Sequence, residues 1–86
     1  MSDLAIRFQT AQDDSKKLTK RPDNDNLLKI YAFFKQGANG DVKGKRPGFT
    51  DLVGRAKYDA WAKLKGMPKE EAMQQYVDLV ESLKNA

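Results

Sequence analysis

Leu27-Leu28-Lys29-Ile30-Tyr31-Ala32-Phe33-Phe34-Lys35-Gln36 decides the fold. Read at 3.6 residues per turn, its large apolar side chains occupy more than one side of a helix, as in a helix that packs against two things. In a chain of 86 residues one of those two can be a ligand. The spacing predicts a helix over about 24–38, capped by Asp23 or Asn24 and stopped by Gly37, Asn39 and Gly40.

The same periodicity extends in both directions. Toward the N-terminus, Leu4, Phe8, Ala11, Ser15 and Leu18 trace one stripe. They predict a first helix begun at Ser2 or Asp3 and ended by Thr19-Lys20-Arg21-Pro22. Lys16, Lys17, Lys20 and Arg21 fall at its end, where they complement the negative end of the helix dipole or face a phosphate. Toward the C-terminus, residues 39–50 read as a loop, long enough to be functional. Asp51 caps a third helix over about 51–64, with Leu52, Ala56, Ala60 or Trp61, and Leu64 inward and Lys65-Gly66 closing it. Pro68 opens a fourth, whose stripe is Met73, Tyr76 or Val77, Val80 and Leu83. The fold class is all-α, a four-helix bundle, in one domain spanning 1–86.

Composition narrows the function. There is no Cys and no His, so disulfides, thiolate metal sites and the usual general base near neutral pH are absent. No carboxylates pair for acid–base work and no nucleophile stands beside a base, so the chain is not expected to be an enzyme. A net charge of +4 favours an anionic ligand but is modest for a nucleic-acid binder. No apolar run reaches a membrane span and the start of the chain is polar, so it reads as soluble and cytoplasmic, without stable membrane insertion.

Tyr31 and Lys35 are one helical turn apart. A phenol and an ammonium suit a phosphate; equally, a half-buried Tyr can carry a Lys folded over it. Lys57 converges with Lys35 if the second and third helices lie side by side; otherwise it is a solvated lysine. Lys43, Lys45 and Arg46 form an anion patch or simply solubilise the loop. Trp61 and Tyr76, taken alone, read as core.

Several short motifs recur in a fixed order: Lys20-Arg21-Pro22, Leu28, Ile30-Tyr31, Phe34-Lys35-Gln36, Gly40-Asp41, Arg46-Pro47-Gly48, Ala56-Lys57, Asp59-Ala60-Trp61, Leu64-Lys65-Gly66, Ala72-Met73 and Tyr76. Together, over about Leu4 to Leu83, they resemble the acyl-CoA-binding protein family. The resemblance implies an up-down-down-up bundle with a long crossing between helices two and three. It implies an intracellular carrier and pool buffer for long-chain fatty acyl-CoA, monomeric, with no cofactor or metal and with transient contact to acyl-CoA-using enzymes. Residue by residue, Tyr31, Lys35 and Lys57 match the holders of the ribose 3′-phosphate and Lys16 a basic residue in the phosphate region. Tyr76 matches an aromatic near adenine and ribose, and Leu27 and Leu28 the lining of the acyl groove. Ala56 is small where the ligand passes. Phe34, with Phe33, makes the pocket more apolar than in common members. Val53 stands where many carry Lys, Tyr58 where Trp is frequent, and Lys17 where His is frequent. The competing readings are a small basic nucleic-acid-binding module using the Lys43–Arg46 loop, and a protein-interaction bundle using a Phe33–Phe34 surface.

Overall fold

The computed structural model describes residues 3–85, so Ser2, one of the two candidate caps of the first helix, lies outside the described residues. Four helices follow in order: α1 (Asp3–Ser15), α2 (Asn24–Asn39), α3 (Leu52–Ala62) and α4 (Lys69–Lys84). α4 packs against α1 and α2, and α2 against α3, giving the spatial order α1, α4, α2, α3. The row is only 15 Å thick along its shortest axis.

Matched side-chain pairs give the helix directions. Tyr31 meets Lys57 and Lys35 meets Trp61, so α2 and α3 run parallel. Phe34 meets Tyr76 while Gly37 meets Met73, so α2 and α4 run antiparallel. Phe8 meets Tyr76 while Asp14 meets Lys84, so α1 and α4 run parallel. This is the up-down-down-up order that the resemblance implies.

The core is small and centred on α4. Phe8, Ala11, Tyr76, Val77 and Val80 are buried together, with Ile30, Phe33, Phe34 and Met73 packed against them. The inward set on α4 is wider than the one-stripe reading, because both Tyr76 and Val77 are buried and Ala72 is fully enclosed. Phe8, Phe34 and Tyr76 pack ring to ring at 5.2–6.2 Å. Phe33 and Phe34 therefore belong to the core packing rather than to a free docking face.

Asp23 caps α2, accepting from the Asn26 N–H, and Asp51 caps α3, accepting from the Gly54 N–H. Several boundaries differ from the sequence reading. α1 stops at Ser15, short of Leu18. Asp13, Asp14 and Ser15 are weak helix formers, and the Ser15 hydroxyl back-bonds to Gln12 O at 2.8 Å. Lys16 and Lys17 thus lie in the turn beyond the helix, and its last turn holds no basic residue. Gly37 does not stop α2; it lies buried inside it. A Cβ there would come within 3.1 Å of both Met73 Cγ and Phe8 Cζ, so the missing side chain lets α4 and α1 approach. Gly40 is the true stop, with φ of +83° and its N–H bonded to Gln36 O. α3 ends at Ala62 and is followed by a turn over 63–66. Leu52, expected inward, is 72% exposed.

The long 40–51 connection is stitched to α3. Trp61 Nε1 donates to Gly40 O at 2.8 Å, Tyr58 OH to Gly44 O at 3.0 Å, and Arg46 makes a two-pronged ion pair with Asp59 at 2.7 and 2.9 Å. Arg46 is therefore committed to the fold and unavailable to an anion patch. Below the loop, Gln36 is fully buried. It donates to Asp41 Oδ1 and Met67 O and accepts from Trp61 Nε1. Asp41 also accepts from the Gly66 N–H, which ties the end of α3 to the end of α2.

Candidate functional site

A parallel pair of helices joined by an overhand loop leaves a trough along one side, because no connection crosses there. The trough is a cavity of about 880 Å³, within the range of ligand sites in proteins. α2 supplies its floor: Leu27, Leu28, Ile30, Tyr31 and Phe34, with Asn24 at one end. α3 supplies one wall with Leu52, Val53, Ala56 and Lys57. Gln12 and Ser15 of α1, and Lys16 and Arg21 just beyond it, form the other wall. Tyr76 of α4 closes the base.

The periodicity explains why one helix can do both jobs. Ala32, Gln36 and Gly37 are its buried residues. Leu27, Leu28 and Tyr31 are only half-buried, since the side they face has no helix opposite it. Ala56 leaves the α3 wall low, where a larger side chain would narrow the trough.

Eight of the nine residues singled out from the sequence line this one cavity: Lys16, Leu27, Leu28, Tyr31, Phe34, Ala56, Lys57 and Tyr76. Lys35 does not. Its ammonium sits over the Trp61 ring, 4.9 Å from the centroid. Lys57 sits likewise over the Tyr31 ring at 5.4 Å. The two lysines share the α2–α3 seam, one turn apart, each parked on an aromatic face.

Tyr76 is 3% exposed. Its hydroxyl donates to Ser15 Oγ at 3.3 Å, and burial pushes its pKa above the ordinary phenol value, the Ser15 contact opposing this. Such a ring is a floor for a ligand and leaves no open face to stack on. Arg21, Asn24, Ile30, Leu52 and Val53 also line the cavity; the sequence reading named Arg21, Ile30 and Val53 without giving them a place among the nine site residues. Arg21 stands beside Pro22 in an extended connector, where helical spacing gives no direction; only its cluster with Lys16 hinted at it. Leu52 was visible but was assigned to the core.

The electrostatics are one-sided. Among the described residues, the ion pairs involve only Arg46 with Asp59 and Lys84 with Asp14 and Glu81. Lys16, Arg21 and Lys57 all reach the cavity outside these pairs, and no carboxylate lines it. The cavity therefore has an apolar floor and a cationic edge, suited to a molecule with a fatty portion and an anionic one. Among the described residues no group of three or more His, Cys, Asp or Glu could hold a metal ion. No described helix is long and apolar enough to cross a membrane.

Comparisons with known proteins agree with this geometry. The family described as "Acyl CoA binding protein" matches residues 5–80. The chain is 47% identical over 80 residues to the acyl-CoA-binding protein homolog of Drosophila melanogaster, covering 93% of each chain. It is 46% identical to acyl-CoA-binding protein homolog 1 of Caenorhabditis elegans, again covering 93% of each. Among solved structures, acyl-CoA-binding protein 2 of Oryza sativa superimposes with a TM-score of 0.93 at 35% identity, over 96% of this chain and 90% of that one.

Proposed function

The chain belongs to the acyl-CoA-binding protein family, and from that premise we propose how its cavity binds and carries fatty acyl-CoA. The observation that carries the reading is the pairing of an apolar floor with cations that stand outside the ion pairs among the described residues. A long-chain acyl-CoA has the complementary halves. Its tail gains about 0.8 kcal/mol for each methylene buried, so about fourteen methylenes give roughly 10 kcal/mol before ordering costs. Each charge-assisted hydrogen bond to its phosphates adds about 1.5–3 kcal/mol.

The tail lies along Leu27, Leu28, Ile30, Phe34 and Ala56, over Tyr76. Tyr31, Lys35 and Lys57 hold the ribose 3′-phosphate. Lys57 needs only to lift from Tyr31, and Lys35 to swing from Trp61 toward the Tyr31 end of the seam. Lys16 and Arg21 face the remaining phosphates from the opposite wall. Tyr76 supports the ligand from below rather than by stacking on adenine. The tail supplies affinity, and the cations supply orientation and preference for CoA esters over free fatty acid.

Binding alone accounts for the carrier role. The thioester is withdrawn from micelles and hydrolases and later released to enzymes that consume it, with no bond made or broken. We read the chain as a single domain over 1–86 that works as a cytoplasmic monomer. The nucleic-acid reading loses one of the three cations of its loop patch, because Arg46 is engaged by Asp59. Titration calorimetry tests the proposal with a long-chain acyl-CoA, CoA, free fatty acid and a short DNA duplex. Tight binding of the first and much weaker binding of the others is expected. Equal affinity for acyl-CoA and free fatty acid would remove the cationic edge from the mechanism.

A further inference from the structure

The α1 wall of the trough is chemically unlike the rest. It brings two neutral polar side chains to the cavity, Gln12 and Ser15, one turn apart and followed by the cation Lys16. Ser15 is committed: its hydroxyl donates to Gln12 O at 2.8 Å and accepts from the Tyr76 hydroxyl at 3.3 Å. The side-chain amide of Gln12 is half-buried and takes part in none of the side-chain hydrogen bonds among the described residues. Its height in the trough follows from the packing. Phe8 stacks on Phe34 at 6.0 Å, and α1 runs antiparallel to α2, since it runs with α4 and α4 runs against α2. One turn on from Phe8 is therefore level with one turn back from Phe34, which sets Gln12 across from Ile30 and Tyr31. Lys57 rests on that Tyr31 ring. Asn24, the other amide side chain at the cavity, stands two turns from Tyr31 along α2.

An amide presents donor and acceptor side by side and carries no charge, which suits the edge of a nucleobase better than a phosphate. We infer that Gln12 reads the adenine of the bound CoA ester, pairing its amide with the exocyclic N6 amino group and a neighbouring ring nitrogen. The site would then select for the base as well as for phosphates and tail. The inference rests on the acyl-CoA reading. The ribose that carries the 3′-phosphate also carries adenine, so a phosphate held at Tyr31 and Lys57 leaves the base within reach of the facing wall. Glutamine makes this two-pronged contact with adenine in nucleic-acid recognition. A site that hydrogen-bonds a donor on its ligand rejects the analogue lacking it, because the protein group is left without its partner. Ser15 cannot substitute, since its hydroxyl is held between Tyr76 and the α1 backbone.

Titration calorimetry with palmitoyl-CoA and its 1,N6-ethenoadenine analogue tests the assignment. The etheno bridge removes the N6 donor and leaves the phosphates and the tail as they were. The unaltered chain should bind the adenine ester about tenfold more tightly than the etheno ester. Gln12→Leu, close in size, should bind the two equally, its loss confined to the adenine ester. Lys57→Ala should weaken both esters by one factor and keep the preference for adenine. A preference that survives in Gln12→Leu, an equal loss for both esters in that variant, or no preference in the unaltered chain would each overturn the inference. Binding of both esters without preference removes only the role of Gln12 and leaves the acyl-CoA reading standing; binding of neither removes both.

Discussion

Replacing Lys57 by Ala isolates the head-group contact from everything else in the cavity. Lys57 is exposed, lies outside the ion pairs, and rests 5.4 Å from the Tyr31 ring centroid, so its removal leaves the core untouched. A charge-assisted hydrogen bond to phosphate is worth about 1.5–3 kcal/mol. The free protein loses part of that on binding, because the ammonium must leave the Tyr31 face, a contact worth about 0.5–1 kcal/mol at an exposed site. The difference, about 1–2 kcal/mol, corresponds to a Kd raised roughly fivefold to thirtyfold. The tail does not touch this group, so the factor should be the same for esters of different chain length. Displacement calorimetry with a series of acyl-CoA esters at one ionic strength measures it. Lys35→Ala should behave similarly, since Lys35 gives up the comparable Trp61 contact. A penalty that grows with chain length, or none at all for either lysine, would refute the division of labour between head and tail.

Other consequences concern the frame that holds the cavity open. Gln36→Leu strips the bonds to Asp41, Met67 and Trp61 and should cost about 2–3 kcal/mol, read as a lower urea midpoint with the slope unchanged. Gly37→Val forces atoms against Met73 and Phe8 and should destabilise by about 1–3 kcal/mol in the same assay. The Gly66 N–H, and after it Gln36, hold the pKa of Asp41 below the ordinary carboxylate value of 3.8. A group with a depressed folded pKa stabilises the native state above its unfolded pKa and loses that contribution as pH falls through the folded one. Acid unfolding should therefore steepen below about pH 3.8, and Asp41→Asn should flatten that limb; an unchanged acid limb would contradict the bond to Gly66.

The helices were legible because their buried sets follow a simple period: Phe8 with Ala11, and Tyr76 with Val80, sit on the predicted stripes. The boundaries were not, since a stripe such as Leu4 to Leu18 continues past the point where Asp13-Asp14-Ser15 can sustain a helix. Gly37 looked like a stop because close approach and chain reversal use the same residue, and only packing distinguishes them. Gln36 entered only as the end of the Phe34-Lys35-Gln36 motif, with no role attached, yet it organises the loop, Trp61 and the end of α3. Leu27, Leu28, Tyr31 and Phe34 on α2, and Ala56 and Lys57 on α3, were visible through spacing and resemblance together. Arg21 was offered only as one of two readings of a basic cluster, because a connector has no periodicity to aim it. Leu52 shows the opposite error, an apolar residue assigned inward that the fold leaves at the cavity lip.

The central claim is that one trough takes both halves of the ligand, and a crystal structure of the complex with a long-chain acyl-CoA tests it most directly. The account predicts phosphate oxygens within hydrogen-bond reach of Lys57 and Lys16, and the tail against Leu27, Leu28 and Ala56. A tail lodged elsewhere, for example in the shallow groove between α1 and α4 lined by Arg7, Thr10 and Val77, would contradict it.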